Sequence, residues 1–535
     1  MNPNFKGNLL LANANVITMT NEPSAGIDSV LVKDGQIAGL GRYADLRAIS
    51  KGALELDCAG KTLIPGFVDG HCHFEMTCNT AENWIAVHTP PYTSLDEIAK
   101  FLKSEVLRTR ESDSWLLCRS SFAMQEKVDE KRLFSRQELD DICLERPLAV
   151  FASLHVASLN TAAFKALGLW DETSRHSEFG VVHRDIRGTP TGVVTEVFLL
   201  VPTPGTVDQF KRLVSIKARN EWNVGGTTSV YTMPETFDQA AAECDLLLNG
   251  DLSIRQRHYF ILKPSDSLDA ILDLARTYPS SDMIRFGGIK IFVNGCAHDG
   301  NGNPLDDIKW PQSELNALVL KVHALGLQLW MHSLNEEGVR MAGLAVQEAI
   351  RVHPAPHRHR IEHGGDYLNL ADANWLRGLG IRLVTTPQFL HSTTGSLGST
   401  HAPWRSLVDK GFHLIGGTDS TGTVPGSISV LANIKTAMTR RKGGQISGGE
   451  QRLSGLEALK MFTLWSAEGG FEDDRKGKME IGCLGDFVLL SHDLTQISLE
   501  TVDEVRVDTT VLGGEMVYDS SSVTHERGLK AKESV

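Results

Sequence analysis

The sequence predicts an α/β fold: a (β/α)8 TIM-like barrel with a small β-sandwich domain built from both termini and an insertion after barrel strand one. Three observations predict it. Eight short β-rich runs recur along the middle of the chain, often followed by a helical pattern. The first 60 residues and the tail read instead as short strands with tight turns. The segment from about 111 to 205 breaks the alternation. Strands alternating with helical crossovers form parallel sheets, and eight such units close a barrel whose chemistry sits at the strand C-terminal ends.

The elements follow in order. "NLLLANANVIT" and "SVLVKDGQIAGLG" are strands, the second broken by Asp34-Gly35, a hairpin signal. The eight barrel strands are "TLIPGFVDGH", "GTTSVYTM", "IRQRHYFIL", "IRFGGIKIFV", "LQLWMH", "RHRIEH", "IRLVTTP" and "FHLIGGTD". Ser94 with Glu97 has capping-box spacing before Ile98, Phe101, Leu102 and Val106, which share one helical face. Ser454 with Glu457 repeats the spacing before "ALKMFTLWSA". The tail, "MEIGCLGDFVLLSHD" to "EVRVDTTVLGGEMVYD", pairs with the N-terminal strands in this reading. Residues 1–62 and 476–535 then form the small domain, and residues 63–475 form the barrel with its insertion. The last residues, "SSSVTHERGLKAKESV", are polar and expected to fray.

Bulk properties narrow the class. Hydrophobic residues make up 41% and charged residues 22% of 535, ordinary values for a soluble globular protein. A net charge of -13 argues against nucleic acid or an anionic membrane as the main partner and leaves a small molecule. Eight cysteines without C-x-x-C spacing fit a reducing compartment. "MNPNFKGNLLLANANVITM" resembles neither a signal peptide nor a membrane span, so the expected location is cytoplasmic.

The chemistry-bearing residues begin in "PGFVDGHCHF". Alternate side chains of a strand share a face, so His71 and His73 project together while Cys72 turns away. Two imidazoles converging from one strand end suit a single metal ion. Lys290 lies in "GGIKIFV", His332 ends strand five, His363 ends strand six, and Asp419 ends strand eight. Each has an ordinary explanation taken singly: a hydrogen-bonded surface histidine, a snorkelling lysine, a helix-capping aspartate. Together, six such groups at the ends of five strands point to a metal site. Cys296 and His298 in "GCAHDG", two apart on one strand, do not establish a nucleophilic dyad.

With these residues in place the chain resembles the amidohydrolase superfamily, within its family 3 branch of YtcJ-like metal-dependent hydrolases. The resemblance runs nearly end to end, through "TLIPGFVDGHCHF", "HVASLNTAAFKALGL", "RGTPTGVVTEV", "GIKIFVNG", "MHSLNEEGV", "HRIEHGGD", "GGTDSTGTVPGS" and "GCLGDFVLL". Departures are modest: Asn294 stands where relatives often carry Asp, Thr418 where Ser is common, and Asp486-Phe487 where an Ala-Asp pair is usual.

The resemblance implies one or two Zn²⁺ ions, other divalent metals being acceptable. His71 and His73 would bind one ion; His332 and His363 would bind a second or complete the first. Asp419 would ligate metal and exchange a proton with water. Lys290, N-carboxylated, would bridge two ions, with Glu196 as the alternative bridge. Ile289 and Ile291 point away from Lys290, so its face is the barrel interior, where a bare ammonium would repel a cation. His155, Asn160 and Gln388, with His391, are the expected pocket lining. The implied activity is zinc-dependent cleavage of a C–N amide bond, N-substituted formamides being the sharpest substrate reading. An inactive amidohydrolase-like scaffold and a metal-dependent esterase, lactonase or organophosphate hydrolase are the alternatives. Relatives of this kind are usually homodimers.

Overall fold

Eight parallel strands form the central sheet of the computed structural model: β1 (Phe67–Cys72), β2 (Thr227–Thr232), β3 (Arg255–Ile261), β4 (Ile284–Phe292), β5 (Gln328–His332), β6 (Arg360–Glu362), β7 (Arg382–Thr385) and β8 (Ile415–Gly416). Each lies in one of the eight expected runs, β1 reaching one residue beyond its run to Cys72. The described residues are 6–21, 24–109, 114–171, 180–202, 205–262, 266–294, 310–392, 401–421, 428–442 and 444–521. Cys296 and His298 lie outside them.

Strands pair in sequence order from β1 to β8, all in parallel. The seam between β8 and β1 is drawn together by hydrogen bonds that follow β8. Asp419 N–H donates to the His71 carbonyl at 2.8 Å. Thr418 donates its backbone N–H (2.9 Å) and hydroxyl (2.6 Å) to the Asp69 carboxylate. Glycine permits the close approach: a Cβ on Gly70 would stand 2.4 Å from Ile415 Cγ2, and one on Gly417 2.6 Å from His71 Cβ.

Period-two alternation sorts the strand residues. Ile289, Ile291, Leu329, Met331, Ile361 and Leu383 face outward into a large core shared with the surrounding helices. Tyr259 and Trp330 fill the interior, stacked with ring centroids 3.6 Å apart. The helices start where their caps dictate. Ser454 and Glu457 form a complete reciprocal box. Ser94 accepts from Glu97 N–H, but the Glu97 carboxylate takes the N–H of Thr93 rather than that of Ser94.

Outside the barrel, Asp34-Gly35 turns a hairpin between strands Ser29–Lys33 and Gln36–Gly41 in a four-stranded sheet. A five-stranded sheet joins the two ends of the chain, strand Thr62–Pro65 pairing antiparallel with Phe487–Leu490. Leu11, Val30, Val32, Leu63, Phe487 and Val511 share one core between these sheets. Between β1 and β2 the chain builds a six-stranded sheet from Ile85–Ala86 through Pro190–Thr195. Helix Leu95–Arg108 packs Ile98 and Leu102 into that sheet's core with Leu116, Leu139 and Val150. No helix among the described residues is long and apolar enough to cross a membrane.

Candidate active site

At the C-terminal mouth of the barrel, β1 ends on His71 and His73, and the turn after β8 delivers Asp419. His71 Nε2 and His73 Nε2 stand 3.3 and 3.4 Å from Asp419 Oδ1, and His363 Nε2 stands 4.0 Å from Oδ2. The imidazoles of His71 and His363 have centroids 5.0 Å apart, and those of His332 and His363 4.8 Å. Among the described residues His71 Nε2 and both ring nitrogens of His363 lack a hydrogen-bond partner, although all are buried. Leaving such atoms unmade in a dry interior is costly unless something else binds them. Ligand atoms sharing one ion at about 2.0–2.2 Å are separated by roughly 3–4 Å, the spacing found here. The nitrogen and carboxylate donors therefore fit a divalent metal.

Local backbone geometry aims these groups. His363 follows the short strand β6 and would point to the outer face by alternation. Its left-handed backbone, φ 65°, turns it back toward the mouth. Asp419 (φ 45°) and Glu196 (φ 57°) are also left-handed. Non-glycine residues held this way are strained and concentrate at working sites.

Electrostatics keep the donors ready. Burial lowers His73 to about 4 and His363 to about 3, so both imidazoles stay neutral with a free lone pair at neutral pH. Burial alone would raise the Asp419 carboxyl, but its contacts with His71, His73 and His363 hold it well below the usual carboxylate range. Lys290 is fully buried, its Nζ 5.0 Å from the Phe292 ring centroid, and its charge acts on both His73 and His363.

Behind the ligands stands Glu362, which alternation also puts inside the barrel. It accepts from His71 Nδ1, fixing the tautomer that leaves Nε2 for the mouth. Arg360 donates to both Glu362 oxygens, at 2.8 and 2.6 Å, and to the Gly70 carbonyl at 2.7 Å. Its guanidinium lies 3.8 Å over Trp330, which stacks on His71 at 5.4 Å. Burial pushes the Glu362 carboxyl up, yet Arg360 and His71 bring it down to about 2. Sequence reading passed over this pair. The signal was present in "HRIEH", where two charged residues alternate with an apolar one on an otherwise buried strand.

The insertion supplies one wall. Its strands Val156–Leu159 and Pro190–Thr195 are paired, Val156 opposite Thr195, so the residues just beyond that pair meet. His155 Nδ1 bonds Glu196 Oε1 at 2.9 Å, and the His155 ring lies 4.8 Å from that of His332. His73, His155, His332 and Asp419 line a small pocket closed by Phe122, Leu154, Phe292 and Phe389.

Two expected lining residues are elsewhere. Asn160 caps helix Thr161–Ala166: its Oδ1 accepts from Ala163 and Leu148, and its Nδ2 donates to Cys143 and Arg146 carbonyls. All its bonding capacity is spent on the insertion's own framework, and it is not among the residues lining the pocket of His73, His155 and Asp419. Gln388 turns toward helix Val430–Thr439, donating to Ala432 O and Thr436 Oγ1, and its neighbour Phe389 faces the pocket instead. His391 reaches the same Thr436, at 3.3 Å.

The sequence pattern described as the amidohydrolase family matches residues 54–518. The chain belongs to that family. An N-substituted formamide deformylase of Arthrobacter pascens is 25% identical to this amidohydrolase over 96% of its chain and 98% of the relative. YtcJ of Bacillus subtilis, named as an amidohydrolase, is 24% identical over 92% and 96%. Among solved structures, a metal-dependent hydrolase from Pyrococcus horikoshii superposes with a TM-score of 0.68 at 19% identity, over 92% of this chain and 99% of its own. That likeness gives the same fold.

Proposed function

We propose that this amidohydrolase is a zinc-dependent hydrolase that cleaves the C–N bond of a small amide, N-substituted formamides foremost. The observation that carries the reading is the convergence of His71, His73, His363 and Asp419 on one point with buried nitrogens unbonded. Those residues, with His332, would hold the ion. An ion in that position acidifies a water molecule toward neutrality and polarises a carbonyl.

The chain's own groups do the rest. Asp419 Oδ, anionic at neutral pH, takes the proton from the attacking water and returns it to the leaving nitrogen. His155, its Nδ1 bonded to Glu196, presents its other ring nitrogen on the pocket side to hold the substrate carbonyl. Phe122, Phe292 and Phe389 line this small pocket, and apolar walls around so little space would exclude bulk water and favour a short acyl group. The name of the Arthrobacter pascens relative agrees with formyl as that group.

Lys290, carboxylated on Nζ, is our choice for the group bridging two ions. Glu196 is engaged by His155, whereas Lys290 lies close enough to His73 and His363 to perturb both. Lys290→Ala should be inactive and partly rescued by short carboxylates. Full activity there, with Glu196→Ala inactive, would assign the bridge to Glu196.

The deciding assay offers metal-loaded protein N-formyl, longer N-acyl, lactam, carbamate and ester compounds. Amine release fastest from formamides is expected, with loss on chelation. Turnover restricted to esters would replace the reading, and a scaffold would show neither turnover nor bound metal.

A further inference from the structure

A second group of metal-ligating side chains lies on the outer face of the barrel, between its strands and the helices that cover them. Glu75 is on helix Phe74–Asn83 after β1, Glu243 on helix Phe237–Asn249 after β2, and His258 on β3. All three side chains are fully buried. His258 Nε2 stands 3.4 Å from Glu243 Oε2 and 3.8 Å from Glu75 Oε1, and Gln256 Oε1 is 3.0 Å from the same nitrogen.

The surroundings leave these atoms facing one another. Thr232 Oγ1 donates to Glu75 Oε2, and Gln256 Nε2 donates to Glu243 Oε1 at 2.8 Å. That satisfies one oxygen of each carboxylate. Among the described residues Glu75 Oε1 and Glu243 Oε2, the two oxygens turned toward His258, have no hydrogen-bond partner. The other nitrogen of His258 is bonded to the Tyr278 hydroxyl, the kind of second partner that orients a ligating imidazole. Among the described residues no lysine or arginine bonds Glu75, Glu243 or His258. Two carboxylates buried without a cation are costly, and their charge matches one divalent ion.

We propose that Glu75, Glu243 and His258, with the Gln256 side-chain oxygen, bind a divalent first-row metal ion at a site separate from the barrel mouth. One imidazole, two carboxylates and an amide oxygen suit Zn²⁺ or Mn²⁺, and the spacings equal those of ligand atoms around one such ion. Glu235, on which the Glu75 charge acts, keeps its buried Oε1 unbonded among the described residues and lines a cavity of about 300 Å³ with Pro234, Phe237 and Phe260. The rival arrangement is a proton shared by the two carboxyls. Burial raises Glu75 to about 7 and Glu243 well above the ordinary range when no cation is present, and that arrangement needs no metal.

The full chain decides between them. The His71→Ala/His73→Ala variant, purified without chelator and supplied with Zn²⁺ or Mn²⁺, should keep one equivalent of metal per chain by mass spectrometry. Adding Glu243→Gln should remove it. A chelator should lower the melting temperature of the double variant, and the same ion should restore it, a readout that does not depend on the third substitution folding. A folded double variant with no metal and no chelator response would overturn the site in favour of the shared proton. If instead the double variant loses no metal while Glu243→Gln in the wild-type chain loses one equivalent, the second site stands and the mouth assignment fails.

Discussion

Buried histidines occupy both ends of the barrel, and the two groups are treated in opposite ways. Around the strand N-termini, His323 Nδ1 meets His359 Nε2 at 3.0 Å, and His323 Nε2 donates to the His353 carbonyl. His359 Nδ1 accepts from Leu329 N–H, His357 Nδ1 from His359 N–H, and His357 Nε2 donates to the Leu379 carbonyl. Every ring nitrogen of these three residues is accounted for. At the opposite end His71, His73 and His363 keep nitrogens without hydrogen bonds. The same side chain, as dry in His323 and His359 as at the mouth and half-buried in His357, is fully bonded at one end and left with open nitrogens at the other. Incomplete bonding, rather than burial or residue type, separates them.

The contrast can be broken experimentally. Replacing His71 and His73 together by alanine should abolish turnover and strip the mouth metal while circular dichroism stays native; a variant with full metal and activity would refute the assignment. Asp419→Asn should retain part of the metal but lose about 10²–10⁴ in kcat, the usual contribution of a general base; unchanged kcat would remove Asp419 from that role.

At the other end His359→Ala should do the reverse. It leaves the Leu329 N–H and a His323 nitrogen without partners, which costs about 1–3 kcal/mol for each buried group. Denaturant unfolding should report the loss while kcat per folded molecule holds. The smallest effect sharpens the picture through pH. His73 and His363 are lowered to about 4 and about 3, so protons compete for their lone pairs only below that range. An exposed histidine begins to compete near 6.5. Metal content after dialysis at pH 5 should equal that at pH 7.5, and loss of half the metal by pH 6 would contradict the burial argument.

The barrel was legible because period-two alternation and glycine-proline punctuation mark each strand locally. The histidines and aspartate that meet at the mouth were legible because a strand end is where a barrel exposes side chains. Asn160 was placed in the pocket because a motif position carries no information on what an asparagine bonds, and here Ala163 at a helix start, Leu148 on a strand and the Cys143 and Arg146 carbonyls take all its bonds. Glu362 was missed for the opposite reason: its role depends on Arg360 and His71, brought together only by closure. The Glu75, Glu243 and His258 group has no local signature either, since its members come from three elements that meet only when helices cover the wall.

The seam has a temporal consequence. Asp69 and Thr418, whose bonds help draw the last strand to the first, are 349 positions apart, and Asp419 lies on the later side. During synthesis the histidine pair of β1 emerges early and must wait through the insertion and seven further strands for Asp419. Contacts of such long range form late and slowly. A nascent chain that has not yet reached β8 therefore holds His71 and His73 without Asp419, and the cluster at the mouth is complete only once the barrel has closed.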